Sequence, residues 1–390
     1  MNVVFVSPHF PPQFHQFCSA LRERGVNVLG LGDTPADAVA PEVHAALSEY
    51  YFAPLERYEE AYRALAYFCL RYGRIDRIES HNEHWLGLEA RLREDFNIPG
   101  PRPEQMGRWR TKSGMAGLFR AAGVPYPETR RVSGPEGVRA FAEEVGFPLV
   151  LKPDLGVGAF RTWRVDDEAA LSRVLAEPLE GYLAQPFVEG RIVTYDGLVD
   201  GEGRILFETS HAYSHSLMDV VGSGLDSFYW NRRVIPEALR ELGTKTVAGF
   251  GLRERFFHIE FFELPEGGYR ALEINVRPPG GFTVDMMNFS ADVDLYRLWA
   301  QMLTGERVTG PAPERKFHCA HVTRRWGRDY RYSPERLREL LGEKLLVHRA
   351  VPRVLADAMG DEMFLVRDPS EGVLLEVAGM IQATVSPRAG

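Results

Sequence analysis

The stretch 257–277 constrains the fold more than any other part of the chain. It contains two arms of alternating character, 257–262 and 271–277, joined through Pro265-Glu266-Gly267-Gly268. Side chains along a strand point to opposite faces with a period of two. Glu273, Asn275 and Arg277 therefore share one face of the second arm, and Leu272, Ile274 and Val276 share the other. In the first arm, His258, Glu260 and Phe262 share a face. The proline and glycines at the join are turn formers. Folding about Glu266 and Gly267 sets Glu260 opposite Glu273. Two carboxylates directly across a strand pair repel. That cost is tolerated on a wet face, or is useful for holding a cation. The neutral oxygen of Asn275 beside them suits a hard ion, Mg²⁺ or Mn²⁺. Pro278-Pro279-Gly280-Gly281 follows, a place where backbone can approach a ligand closely. Taken alone, the pattern describes a solvated sheet face as well as it describes a metal site.

Upstream, Val3-Val4-Phe5-Val6 is a continuous apolar run, the mark of a buried parallel strand. A helical stretch at 14–24 ends at Gly25, and 27–31 reads as a second strand. A helix at 58–72, a strand within 75–80 and a helix at 85–93 continue the alternation. Strands alternating with helices predict an open parallel α/β sheet over residues 1–102. Its first turn lacks G-x-G-x-x-G, so a dinucleotide site is not expected. His9, His81, Asn82 and Glu83 fall in loops at the carboxyl ends of these strands. Ligands bind at such ends, although capping is the commoner role for these residue types.

Pro99-Gly100-Pro101-Arg102-Pro103 reads as a linker, followed by a helical segment to Ala122 carrying Arg108, Arg110 and Lys112. On a lone helix those cations would form a solvated face. An α+β unit comes next, with a helix at 135–145 and the apolar strand 149–151. Lys152 follows that strand directly and precedes a loop with Gly156 and Gly158. Glycines let backbone N–H groups close on phosphate oxygens, and lysine adds a point charge. The loop is not a Walker A motif, because Gly-Lys-Ser/Thr is missing. A strand from Tyr182 runs into a proline-containing connection, and 194–199 and 204–209 form a hairpin. Residues 211–233, ending in Arg232 and Arg233, read as a substrate-side loop. Helices are expected at 237–249 and 292–303. Beyond about residue 316, short strands near 319–323, 362–366 and 374–377 read as an appended α+β lid or packing unit.

The expected fold class is thus α/β and α+β multidomain. It divides into 1–102, 103–186, 187–310 and 311–390. At 390 residues the chain exceeds what one small core organises. A net charge of −8 argues against nucleic acid held by phosphate neutralisation. Cys18, Cys69 and Cys319 form no metal or disulfide pattern, which suits a reducing, cytoplasmic setting. No signal peptide and no membrane span are read from the sequence.

In chain order, these pieces together resemble the ATP-grasp superfamily over roughly residues 1–310. Thr111-Lys112, followed by Ala121-Ala122-Gly123-Val124-Pro125 and Pro127, is similar to the family's first lysine and its sequel. Lys152-Pro153 with Gly156 and Gly158 resembles the second lysine and the phosphate loop. Gln185-Pro186-Phe187-Val188 falls where the family has its adenine-binding hinge. Glu260, then Glu273-x-Asn275 thirteen residues on, matches the metal-ligand spacing. The chain departs from the pattern at Gln185, where the family usually has Glu, and at Ile192, where a ribose-binding Glu is common. Glu189 is the nearby substitute. Ala159 stands where the family usually has a serine, and Arg161, where it usually has a small residue, would compensate by contacting phosphate directly.

The resemblance implies a pre-ATP-grasp domain at 1–102, a small lobe with a linker helix at 103–186, a catalytic lobe at 187–310 and an extension after it. It also implies ATP and Mg²⁺ (or Mn²⁺), with Lys112 and Lys152 on the phosphates and Glu260, Glu273 and Asn275 on the metal. Arg277 would lie near the transferred group or the substrate carboxylate, and His258 near the γ-phosphate. The run Glu-Ile-Asn-Val-Arg-Pro-Pro-Gly-Gly is most like that of the carboxylate–amine ligases, including amino-acid and dipeptide ligases of the carnosine-synthase type. Such enzymes join a small carboxylate to an amine through an acyl phosphate, and many relatives dimerise. The same scaffold also carries small-molecule kinases, carboxylating enzymes and non-catalytic nucleotide-binding proteins.

Overall fold

The computed structural model describes residues 1–156, 161–214 and 225–385. Three sheets organise them. The first is parallel, in the order β3-β2-β1-β4, from strands β1 (Asn2–Val6), β2 (Asn27–Gly32), β3 (Glu49–Phe52) and β4 (Arg77–Glu79). Val4, Val6, Leu29 and Leu31 pack on the helices Tyr58–Tyr72 and Leu86–Asp95. Val3, Phe5 and Val28 face the opposite way, onto the helix His15–Arg22. A sheet covered on both faces needs continuous apolar strands, which is what the sequence supplies.

That second face is closed by a helix from far along the chain, Leu295–Leu303. Its Trp299 is fully buried and meets Phe5, Phe17 and His81 edge-on, with ring centroids 6.4, 5.2 and 4.7 Å away. This aromatic cluster fastens the N-terminal sheet to the lobe that follows.

The second sheet, β5-β8-β6-β7, is antiparallel: β5 (Arg130–Arg131), β6 (Leu149–Pro153), β7 (Trp163–Val165) and β8 (Tyr182–Pro186). The helices Gly134–Val145 and Glu168–Val174 cover it. The segment expected as one helix up to Ala122 is two, Pro103–Arg110 and Lys112–Ala121. Thr111 breaks it: its backbone is extended, and its hydroxyl accepts from Gly114 N at 3.3 Å as an N-cap.

The third sheet runs β14-β13-β9-β11-β12-β15-β17-β16, with β10 paired to β9. Its strands are β9 (Arg191–Val199), β10 (Ile205–Thr209), β11 (His211–Tyr213), β12 (Phe228–Asn231), β13 (Arg255–Glu263), β14 (Tyr269–Asn275), β15 (His318–Arg324), β16 (Leu345–Ala350) and β17 (Glu362–Asp368). One face is apolar. Phe257, Ile259, Phe261, Ile274, Ala320, Val322 and Phe364 pack there with residues of the helices Lys112–Ala121, Glu237–Gly249 and Glu371–Gln382. The other face carries the polar side chains of the hairpin.

Several expectations are corrected. The strand expected at 374–377 is part of the helix Glu371–Gln382. Leu374, Val377, Ala378 and Ile381 are its buried residues, and their i, i+3, i+4, i+7 spacing is helical. The loop expected at 211–233 begins and ends as strands β11 and β12, and 215–224 lie outside the described residues. The unit expected to be appended after residue 311 shares the large sheet, because β15 pairs with β12. The helix expected at 292–303 is shorter, and a separate helix, Thr283–Ala291, precedes it. Asp292 ends that helix in the left-handed region (φ 50°), and Asp294 caps the next by accepting from Arg297 N at 3.0 Å. Among the described residues, no helix is long and apolar enough to cross a membrane.

Trp299→Ala leaves a large cavity between the first sheet and its neighbour. It is expected to cost about 3–5 kcal/mol, measured by urea unfolding.

Candidate active site

The hairpin of β13 and β14 folds in the register read from its alternation. His258 pairs with Asn275 and Glu260 with Glu273. The ladder shifts between Glu260 and Phe261, so Phe261 pairs with Ala271 and Leu272 is the extra residue. On its other side β13 pairs with β9, His258 to Asp196 and Glu260 to Thr194. One row of the sheet therefore reads Asn275, His258, Asp196, and the next reads Glu273, Glu260, Thr194.

Both lysines converge on this hairpin from outside the sheet. Lys152 sits on β6 and is buried. Lys112 is the first residue of its helix, also buried, with Nζ 4.0 Å from Glu273 Oε2 and donating to Gly156 O at 3.2 Å. Burial pushes Lys152 down to about 8, and Lys112 pushes the same way, while Glu273 and Glu260 oppose both. Burial, then the neighbouring Glu260, pushes Glu273 above the usual carboxylate range; Lys112 and Lys152 act against this. Asn275 Nδ2 donates to Glu273 Oε1 at 3.4 Å. On this face two cations lie near two mutually repelling, half-buried carboxylates. Oxygen donors from Glu260, Glu273 and Asn275 fit a hard divalent cation, whose charge would relieve that repulsion.

Lys112 is placed by Asp154. The Asp154 carbonyl accepts from Lys112 N at 2.9 Å. Its carboxylate accepts from Ser113 N at 2.9 Å and from Ser113 Oγ at 2.8 Å, and pairs with Arg131. A carboxylate at a helix N-terminus satisfies unpaired N–H groups and favours the helix dipole.

His258 does not stand alone. Its Nδ1 meets Asp196 Oδ1 at 2.5 Å and its Nε2 meets Glu260 Oε1 at 3.2 Å. Asp196 also accepts from His211 Nδ1 at 2.7 Å and from the Thr194 hydroxyl. Burial works against charge on His258, but Asp196 and then Glu260 outweigh it and raise the imidazole to about 9. Burial likewise opposes an ionised Asp196, yet His258 and His211 hold its carboxyl down near 2. Sequence reasoning missed Asp196 and His211. The available signal was an acid inside the strand-like, largely β-branched and apolar run Val193-Thr194-Tyr195-Asp196-Gly197-Leu198-Val199.

Arg277 lies beyond the end of β14, with Nε 3.5 Å from Glu83 Oε2; Glu83 Oε1 accepts from Arg110 Nε at 3.0 Å. Glu83 comes from the loop after β4, so the first sheet reaches Arg277 at the end of the hairpin. His81 does not. It is buried in the aromatic cluster, where desolvation and then Arg255 and Arg93 hold it well below its ordinary value. Asn82 accepts from His84 N at 3.0 Å, a capping role, and His9 lies 3.4 Å from Asp33.

The hinge begins inside β8, with Gln185 and Pro186, and continues past its end to Phe187, Val188 and Glu189. Gln185 is buried and its Nε2 donates to Thr129 Oγ1 at 2.6 Å. Phe187 lies under the Arg164 guanidinium, 4.2 Å from the ring centroid. Val188 is buried, and Glu189 is exposed. Gly156 reaches the cleft through its carbonyl on Lys112, and Gly158 lies outside the described residues. Arg161 is not brought to the cleft: it is exposed and 3.5 Å from Glu177. Arg232 and Arg233 are engaged elsewhere, Arg232 3.4 Å from Glu263 and Arg233 donating to Pro369 O at 3.1 Å.

Solved structures of similar fold span almost the whole chain. The L-amino acid ligase from Bacillus licheniformis aligns with a TM-score of 0.75 at 17% identity, over 97% of this chain and 95% of that one. This is an ATP-grasp fold. A further ATP-grasp neighbour is the biotin carboxylase domain of Hydrogenobacter thermophilus 2-oxoglutarate carboxylase, solved with MgADP, ADP and bicarbonate. Its TM-score is 0.67 at 16% identity, over 96% of this chain and 88% of that one. By sequence, the chain is 26% identical over 255 residues to the L-arginine-specific L-amino acid ligase of Bacillus subtilis. That alignment spans 60% of this chain and 61% of the relative's length. No family model matches the chain.

Asp154→Ala removes the acceptor at the start of the Lys112 helix. It is expected to cost about 1–2 kcal/mol, read by thermal unfolding.

Proposed function

We propose that the chain is an ATP-dependent carboxylate–amine ligase that joins small molecules, with amino acids as the substrate class. The observation that carries this reading is the convergence of Lys112 and Lys152 on the facing carboxylates Glu260 and Glu273. The ligase names of the Bacillus relative and neighbour support the substrate class, and the MgADP-bound neighbour supports the nucleotide and the metal.

The chemistry needs two anions, a carboxylate and a triphosphate, brought within bonding distance. That demands positive charge fixed in a water-poor site. Lys112 and Lys152 would neutralise phosphate oxygens. Gln185, Phe187, Val188 and Glu189 would border the adenosine, with Gly156 near the phosphates. Glu260, Glu273 and Asn275 would hold Mg²⁺ or Mn²⁺, which when bound supplies charge against the β- and γ-phosphates. Arg277, a planar fork, suits the substrate carboxylate, which would displace Glu83 from it. The carboxylate oxygen takes the γ-phosphoryl group and ADP leaves. The amine then attacks the acyl carbon, phosphate leaves, and an amide forms.

A second reading, a carboxylating enzyme, draws on the bicarbonate-bound neighbour. ADP release that requires both a carboxylic acid and an amine supports the ligase. Release driven by bicarbonate alone overturns it.

Glu273→Gln is expected to abolish ADP release with the fold intact, as checked by turnover assay and circular dichroism. Lys152, lowered to about 8, is charged below that pH and neutral above it. Nucleotide affinity should therefore fall about tenfold or more between pH 7 and pH 9, measured by calorimetry, and Lys152→Arg should weaken that dependence, leaving the part due to His258, which is raised to about 9.

A further inference from the structure

The Asp196 carboxylate is fully buried on β9, one strand away from the hairpin. No ligand in the cleft can touch it, yet its two oxygens are committed in opposite directions. Oδ2 takes the His211 Nδ1 hydrogen at 2.7 Å and the Thr194 hydroxyl, while Oδ1 faces His258 Nδ1 at 2.5 Å. The other nitrogen of His258 then faces Glu260 Oε1 at 3.2 Å. An imidazole with a carboxylate oxygen at each nitrogen donates through both, so its ring plane is fixed from both ends. Glu260 in turn faces Glu273, which repels it. A flexible glutamate left to itself would relax away from that neighbour.

We propose that Asp196 is a positioning residue: acting through His258, it holds Glu260 turned toward Glu273, so that the metal-binding carboxylates are arranged before a cation arrives. His211 and Thr194 anchor Asp196 from behind. Partners that orient metal ligands are worth about 10–100-fold in affinity or activity when removed. The inference rests on the reading of Glu260 and Glu273 as metal ligands, and its test separates the two.

The experiment measures Mn²⁺ binding by electron paramagnetic resonance on the full chain with ADP present, for wild type, Glu273→Gln, Asp196→Asn, His258→Gln and the double variant. Glu273→Gln is the control for the site itself: unchanged Mn²⁺ affinity there overturns the metal reading. With that control weakened, Asp196→Asn is expected to bind Mn²⁺ about 10–100-fold more weakly, with ADP affinity in the absence of Mn²⁺ unchanged. His258→Gln should show the same loss, and the double variant no more than either single one, because the two residues act in series. Wild-type Mn²⁺ affinity in Asp196→Asn, or losses that multiply in the double variant, overturn the proposal. If Asp196→Asn fails to fold, His258→Gln decides alone, since that side chain borders the cleft: wild-type Mn²⁺ affinity in it overturns the proposal, and a 10–100-fold loss supports it.

Discussion

Glu260 and Glu273 are set against each other across a single strand pair, and much of the surrounding structure manages that repulsion. Lys112 and Lys152 approach from outside the sheet, Asn275 donates to Glu273, and His258 donates to Glu260. None of these contacts gains much in a solvated setting. Where the groups are half-buried, as here, each is stronger than it would be in open solvent. The four basic and amide groups come from a helix start, the small sheet and two strands of the large one. The site therefore forms only when these units are assembled.

The assembly has its own fastening. Phe5, Phe17, His81, Phe256 and Trp299 interlock edge to face, joining the first sheet to a helix nearly three hundred residues away. Edge-to-face contacts of this kind are geometrically selective. They set the position of the loop after β4, which carries Glu83 to Arg277. His81 and Glu83 are two residues apart but have different roles, one filling the core and the other pairing with Arg277 and Arg110.

The hairpin register was legible because strand alternation is local and a one-residue slip would have turned every acid to the wrong face. The parallel sheet was legible for the same reason, through continuous apolar runs such as Val3-Val4-Phe5-Val6. The Glu371–Gln382 helix was misread because a short apolar run carries little periodicity until its neighbours are counted. Asp196 and His211 were invisible because their role depends on which strands lie side by side. β9 pairs with β13 across more than fifty intervening residues, and no local pattern encodes that. Arg161 reads as a phosphate contact and Arg232 and Arg233 as part of a substrate-side loop, and only tertiary structure shows Arg161 beside Glu177, Arg232 beside Glu263 and Arg233 on the Pro369 carbonyl.

The large sheet runs without interruption from the acidic hairpin to β16, by way of β12 and β15. A chain ended before β15 would lose more than a cover. It would leave β12 as a raw edge with one row of amides and carbonyls unanswered, and such an edge recruits other strands. The last eighty residues are therefore the side seam of the large sheet, and trimming them would invite the protein to pair with itself.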